Sequence, residues 1–275
     1  MTGRSPINKR MQDYFNARSA NYDQAELHHR VAHQLLQGGQ LRSGQQVLDL
    51  ATGTGLLALD AARHVGPHGQ VTGIDVSPGM LAQARQKAAQ AELPAVTFLL
   101  GDAERLSFAD RTFDRVFSAS ALVLMRDVSA ALEEWVRVLR PGGLLAFDGP
   151  DGQDFGLMGI VADAAQEIGL TLAFSQVTAT PARCRALLTQ AGLEVQDIQE
   201  VSEEQHVPLS AALLGWEYTL AHPACVELQQ RPQEQVAVVR EAYIAKLTAL
   251  AEENGGDVRL RTTLHLAFGQ RPAEP

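Results

Sequence analysis

The stretch Val47-Leu48-Asp49-Leu50-Ala51-Thr52-Gly53-Thr54-Gly55 constrains the fold of this chain more than any other. Val47, Leu48 and Leu50 make a short apolar run that stops at a glycine turn, as a strand buried in a sheet does. From Leu56 to Val65 the apolar residues recur at helical spacing. Strand, glycine turn and helix in that order build a nucleotide-type ligand site. Gly53 and Gly55 have no Cβ to hold a ligand off, and the first turn of the helix presents N–H groups that have no partner within it.

The segment Gly53-Thr-Gly55-Leu-Leu-Ala58 also fits the dinucleotide pattern G-x-G-x-x-G/A. Asp49 separates the two readings. A carboxylate at the end of the strand repels a pyrophosphate and attracts a cation, directly or through water, so a ligand with an ammonium and a sulfonium suits it better. Asp49-x-x-x-Gly53-x-Gly55 resembles motif I of the class I S-adenosylmethionine (SAM) methyltransferases. It is closest in character to the methyltransferase type 11 subgroup that includes the menaquinone and ubiquinone C-methyltransferases. The resemblance covers residues 40 to 150 well and the remainder loosely.

The 275 residues suffice for one large α/β domain, or for one domain with an elaborated cap. Hydrophobic and charged fractions of 45% and 20% are those of an ordinary globular chain. No apolar run reaches the roughly 18 residues of a membrane span, and the Met-Thr-Gly-Arg-Ser-Pro start lacks a signal core, so the expected address is cytoplasmic. A net charge of −9 argues against a broad nucleic-acid footprint. Cys184 and Cys225 form no CxxC motif and read as packing residues.

From Met11 to Leu41 the sequence predicts one or two helices, interrupted near Ser19 to Asp23, with Leu27, Val31, Leu35 and Leu36 as the apolar stripe. The resemblance implies that residues 8–41 form a lid over the cofactor and that Tyr22 touches it; simple packing of Tyr14, Phe15 and Tyr22 is the alternative. His29 and His33 share a helix face, but no carboxylate or cysteine pattern completes a metal site, and none is expected.

Gly66 to Gly69 is a turn, Val71 to Asp75 a second strand, and Ser77-Pro78 opens a helix to about Ala91. Asp75 lies about twenty residues past the glycine turn, where a carboxylate accepts hydrogen bonds from both ribose hydroxyls. Val76 follows it, and Met80, one turn into the helix, is a candidate to pack on adenine. Val96 to Leu100 is the third strand and Phe113 to Phe117 the fourth. The resemblance implies that Asp102 meets the adenine amino group and that the backbone of Ala103 reaches a ring nitrogen. Ser118-Ala119-Ser120-Ala121 has no Asn/Asp-Pro-Pro-Tyr/Phe motif, the mark of base-amine methyltransferases. Ala119 stands where the quinone enzymes often carry serine, which implies a backbone contact only; Ser118 beside it completes this edge of the site.

Val128 to Arg140 is an amphipathic helix, stopped by Pro141-Gly142-Gly143 before the strand 144–147. Beyond residue 150 the pattern predicts helices over 155–172 and 180–192, a strand over 193–201, helices over 210–221 and 233–253, and a last strand over 258–268. More than fifty residues therefore separate the last two strands, and the stretch 210–255 reads as a helical cap. Leu213, Leu214, Trp216, Tyr218 and Leu220 in it are candidates to wall an apolar acceptor pocket, with packing as the alternative.

These readings combine into a single domain over residues 1–275: an α/β fold, doubly wound around a seven-stranded, mostly parallel Rossmann-like sheet, with a cofactor core over 45–150 and the cap within 151–275. The cofactor implied is SAM, held by Asp49, Ala51, Thr52, Gly53, Thr54, Gly55, Asp75, Val76, Met80, Asp102, Ala103, Ser118, Ala119 and Tyr22. The acceptor expected is an aromatic or lipid-like small molecule, methylated at oxygen, nitrogen or carbon. His206, Tyr22, Glu217 and Asp151 are candidate general bases. An RNA or protein acceptor, a non-catalytic SAM-binding protein and an NAD(P)-dependent oxidoreductase remain as alternatives, the last opposed by Asp49 and by Gly101-Asp102-Ala103. Oligomeric state is left open.

Overall fold

The computed structural model describes residues 6–274. A seven-stranded sheet has the order β3-β2-β1-β4-β5-β7-β6, built from β1 (Gln46–Leu50), β2 (Gln70–Asp75), β3 (Val96–Leu100), β4 (Phe113–Ser118), β5 (Leu139–Phe155), β6 (Glu194–Pro208) and β7 (Asp257–Gln270). β1 pairs in parallel with both β2 and β4, β2 with β3, and β4 with β5. A central parallel strand is covered on both faces, which is why Val47, Leu48 and Leu50 are fully buried.

The helices are α1 (Pro6–Arg18), α2 (Glu26–Gly39), α3 (Leu56–Val65), α4 (Pro78–Gln90), α5 (Val128–Val138), α6 (Gly156–Ala165), α7 (Phe174–Val177), α8 (Pro181–Gln190), α9 (Leu209–Ala221), α10 (Val226–Gln229) and α11 (Gln233–Glu253). Local chemistry starts several of them. Ser77 caps α4 by accepting from the Met80 amide at 3.1 Å, with Pro78 at the first helical position, and Asp127 caps α5 through Ala130. Buried Leu57, Ala58, Ala61, Ala62 and Val65 give α3 one apolar face. α2 ends so close to the sheet that a Cβ at Gly38 or Gly39 would lie 2.3 Å from Phe268 or 2.4 Å from Phe117.

The chain divides into two compact units. The first comprises Met1–Asp148, Arg185–Gln199 and Leu266–Pro275; the second comprises Gly149–Cys184 and Glu200–His265. In the second unit α11 packs on α6 and α9. Its core is Trp216 on α9 and Tyr243 on α11, with ring centroids 5.3 Å apart, and the Tyr243 hydroxyl donates to the Ala212 carbonyl at 2.7 Å.

Several boundaries depart from the sequence reading. The helix expected to end at Arg140 stops at Val138, because Leu139 is already extended and pairs with Phe113. Pro141-Gly142-Gly143 then forms a register shift within β5, with Gly142 at φ +73°. β5 runs to Phe155 instead of 147, and β6 to Pro208 instead of 201. β6 is the last strand in the order, and an edge strand needs no alternating apolar face to announce it. The helix expected over 155–172 breaks after Ala165 into a 3-10 turn ended by left-handed Gly169.

Candidate functional site

A cleft in the first unit lies beyond the carboxyl ends of β1 to β4, and Ala51 lines both of its arms. Ala51 and Ser120 both have positive φ, +52° and +55°, a conformation that costs a side-chain-bearing residue of order 1–3 kcal/mol. Such backbone persists only where its surroundings hold it.

The first arm is lined by Tyr22, His28, Asp49, Thr52, Gly53, Thr54, Ala119 and Ser120, among others. Asp49 is 1% exposed, accepts a hydrogen bond from the Thr52 hydroxyl at 2.5 Å, and has no ion pair among the described residues. Burial pushes its carboxyl up to about 7; the Thr52 hydroxyl opposes the shift and the nearby Asp75 adds to it. An enclosed acid of this kind gains most from a cation. A Cβ at Gly53 would find only Tyr22, at 3.8 Å, so φ of +55° and open space are what this position requires. Gly55 differs: its Cβ would sit 2.9 Å from Phe98 and 3.1 Å from Ala84, so it permits packing and does not line the cleft.

His28 stacks on Tyr22 at 4.5 Å with the planes 7° apart, and burial lowers its pKa to about 4, which keeps it neutral. On the facing loop the Ser120 amide donates to Asp148 at 2.6 Å. Asp148 is 1% exposed, its carboxyl pushed up to about 7 by burial, and it holds Ser120 in its left-handed conformation.

The second arm is lined by Met11, Asp75, Val76, Gly101, Asp102, Ala103 and Met125, with their neighbours. Each Asp75 oxygen accepts one backbone amide, Oδ2 from Gly53 and Oδ1 from Ser77, both at 2.8 Å. Burial raises its pKa in spite of these bonds, and each oxygen keeps a lone pair for a further donor. Asp102 accepts from the Glu104 amide at 3.0 Å, and Glu104 in turn binds the Arg126 amide and side chain, fixing the loop before α5.

The N-terminal segment is tied across this cleft. Gln12 donates to the Val76 carbonyl at 2.8 Å, and Asn16 Oδ1 accepts from the Ser77 hydroxyl at 2.7 Å and the Gly79 amide at 2.8 Å. Asp23 accepts from the Thr54 hydroxyl and pairs with Lys87 at 2.7 Å.

Of the residues expected to form the site, the structure brings Tyr22, Asp49, Ala51, Thr52, Gly53, Thr54, Asp75, Val76, Asp102, Ala103 and Ala119 into the lining. Met80 and Ser118 are buried outside it, at 1% and 0% exposure. Met80 faces the core because it shares the covered face of α4 with Leu81 and Ala84. His28, Ser120, Gln12, Asn16 and Asp148 were not assigned to this site from the sequence; for Asp148 the available signal was an acid directly after the strand 144–147.

The other candidates lie in the second unit, except Tyr22. His206 is exposed and sits 3.2 Å from Glu204, and Glu217 is exposed on α9. Asp151 accepts from the Gln153 and Asp154 amides and lies 3.3 Å from the buried His265 ring. Its carboxyl is held below the usual range by those amides and by His265, against the effect of burial. Trp216, a candidate pocket wall, is 3% exposed and is core, because Ala212, Trp216 and Thr219 share the inward face of α9. Leu214 and Tyr218 point outward, 81% and 54% exposed. Among the described residues no three His, Cys, Asp or Glu side chains are grouped to hold a metal, and no helix is long and apolar enough to cross a membrane.

A family model described as a methyltransferase domain matches residues 47–143. The nocamycin O-methyltransferase of Saccharothrix syringae is 30% identical over 261 residues, covering 88% of this chain and 91% of its own. The chain belongs to the class I SAM-dependent methyltransferases. The ubiquinone/menaquinone biosynthesis C-methyltransferase UbiE of Bdellovibrio bacteriovorus is 36% identical to this methyltransferase over 149 residues, 52% of this chain and 63% of its own. Among solved structures the YcgJ protein of Bacillus subtilis shares the fold, with a TM-score of 0.61 and 19% identity over 90% of this chain and all of its own.

SAM is the cofactor of this methyltransferase. The cleft fits it: one arm holds a buried carboxylate with no counter-cation, and the other holds a carboxylate with hydrogen-bonding capacity to spare.

Proposed function

We propose that this methyltransferase alkylates an oxygen of an aromatic or lipid-like small molecule, and that Asp49, Asp75 and Asp102 mark the cofactor's cationic, ribose and adenine portions in turn. The observation that carries the acceptor reading is the extent of the nocamycin O-methyltransferase match, 88% of this chain, against 52% for the C-methyltransferase. A match that spans 88% of the chain takes in most of the residues outside the cofactor core 45–150. The absence of the Asn/Asp-Pro-Pro-Tyr/Phe motif at 118–121 and the charge of −9 favour a small acceptor over a nucleic acid.

When bound, SAM supplies an activated methyl on a sulfonium. The chain's work is then to orient, to exclude water and to favour positive charge. Asp49 attracts the cationic end, Thr52 holds that carboxylate in one rotamer, and Gly53 leaves room for close approach. Asp75 accepts from the ribose diol with the lone pairs left by Gly53 and Ser77. Tyr22 and His28, the latter neutral, wall the first arm, and the ties at Gln12, Asn16 and Asp23 close the N-terminal segment over it.

The test is label transfer from methyl-labelled SAM to a panel of phenols, hydroxyquinones and carboxylic acids, with bulk tRNA and a protein lysate in parallel. Label recovered as a methyl ether or ester of a small molecule is expected. Label recovered only in tRNA or protein, or on carbon, would replace this reading.

The buried Asp49 predicts a pH dependence. Its folded pKa of about 7 lies above the ordinary 3.8, so its contribution to stability is complete below the unfolded value and lost as pH rises through about 7. A bound cation favours the ionised form and reverses that loss. SAM affinity is therefore expected to rise by up to about tenfold between pH 6 and pH 8, a shift of roughly one proton equilibrium. Calorimetric titration checks this, with Asp49→Asn as the variant whose profile should flatten; an identical slope in that variant assigns the dependence elsewhere.

A further inference from the structure

We propose that this methyltransferase has a second ligand site, at the end of the sheet opposite the cofactor cleft, where Arg42 and Arg115 receive the oxyanion of a small carboxylate- or phosphate-bearing molecule. A cavity of about 360 Å³ opens there in the first unit, with Gln40, Arg42, Arg115, Asp197, Gln199 and Gln270 among its walls. Arg115 is in register with Val47 near the start of β1, whereas the cofactor cleft begins beyond Leu50 at the other end of that strand.

The state of Arg115 identifies the ligand class. Its Nε donates to the Gly39 carbonyl at 2.8 Å and its Nη1 to the Asp114 main-chain carbonyl at 2.9 Å, so the guanidinium plane is held by backbone. Its Nη2 has no partner among the described residues, and neither Arg115 nor Arg42 forms an ion pair there. The nearest acid is committed elsewhere: Asp114 accepts from Arg140 at 2.7 Å and from the Gln46 amide at 2.7 Å. Burial lowers the pKa of Arg115, Asp114 opposes this, and the charge of Arg42 lowers it further.

Two cations thus share a concave surface with neither of them in an ion pair among the described residues, and a planar guanidinium with spare donors is matched by an oxyanion. Asp197 is the one acid on the wall, and it accepts from Gln199 at 2.8 Å. Two arginines less one aspartate leave a wall charge of +1. The side-chain amides of Gln40, Gln199 and Gln270 would suit hydroxyl or amide groups on the rest of the ligand. Its place at the far end of β1 makes this a site for an effector and not for the methyl acceptor.

The experiment is ligand-observed NMR titration of the full chain with inorganic phosphate and, separately, with succinate, at constant ionic strength. Saturable binding of at least one anion is expected, weakened tenfold or more in Arg42→Gln and in Arg115→Gln, and strengthened in Asp197→Asn, with SAM affinity unchanged in all three. Phosphate alone or succinate alone identifies the head group. Arg42 is exposed and its side chain makes no hydrogen bond or ion pair among the described residues, so Arg42→Gln decides the matter if Arg115→Gln does not fold. Failure of both anions to saturate, or equal binding by wild type and Arg42→Gln, overturns the proposal.

Discussion

Asp75→Ala is expected to weaken binding of SAM and of its demethylated product by between ten- and more than a hundredfold. Hydrogen bonds to a charged carboxylate are worth about 1.5–3 kcal/mol each, and the tenfold step corresponds to about 1.4 kcal/mol. The structure adds a second cost. Asp75 also accepts the Gly53 and Ser77 amides, so removing it leaves two donors in the cleft without partners and loosens the glycine turn. Asp75→Asn separates the contributions, since the amide keeps one acceptor oxygen and turns a donor toward the other amide. It should lie close to alanine in affinity while unfolding later on heating. Because the ribose is common to both ligands, the loss should be equal for SAM and its product. An unchanged dissociation constant for either would remove Asp75 from the cofactor site.

The second large effect is on stability. Trp216→Ala is expected to destabilise the second unit by about 3–5 kcal/mol, the range for deleting a buried aromatic side chain. Trp216 is 3% exposed, its ring meets Tyr243, and α9 comes so near α6 that a Cβ on the adjacent Gly215 would lie 2.3 Å from Leu157. Little of the resulting cavity can close, because the Tyr243 hydroxyl is anchored on the Ala212 carbonyl. Chemical denaturation followed by circular dichroism measures the loss, with the fluorescence of Trp135 reporting the first unit separately. SAM affinity of the folded protein should be retained, since every residue of the cleft lies in the first unit. A change below 1 kcal/mol would return Trp216 to the list of candidate ligand contacts.

Much of the first unit was legible from local patterns. The strand at Val47, the glycine turn and the helix from Leu56 follow from short-range chemistry alone, as do the Ser77 cap and the bounds of α11 at Gln233 and Glu253. The three acids expected at strand ends, Asp49, Asp75 and Asp102, all line the cleft. These features are encoded by residues within a turn or two of each other, and a period of 2 or 3.6 reports them directly.

Tertiary structure decided the rest. Gly53 and Gly55 are alike in sequence, yet one opens space for a ligand and the other admits Phe98, a residue 43 positions away. Met80 and Ser118 stand where a linear pattern places ligand contacts, but the side of the element they occupy is covered. The hydrogen bond from Ser120 to Asp148 spans 28 positions, and the ties from Asn16 to Ser77 and Gly79 span 61 and 63. The continuation of β5 past Gly149 and Pro150, and of β6 through a run of charged residues, contradicts their turn-like and polar composition. Periodicity records which residues of one element can share a face. Which faces are covered, which charges are left without partners and which polar strand finds an edge depend on segments that only the folded chain brings together.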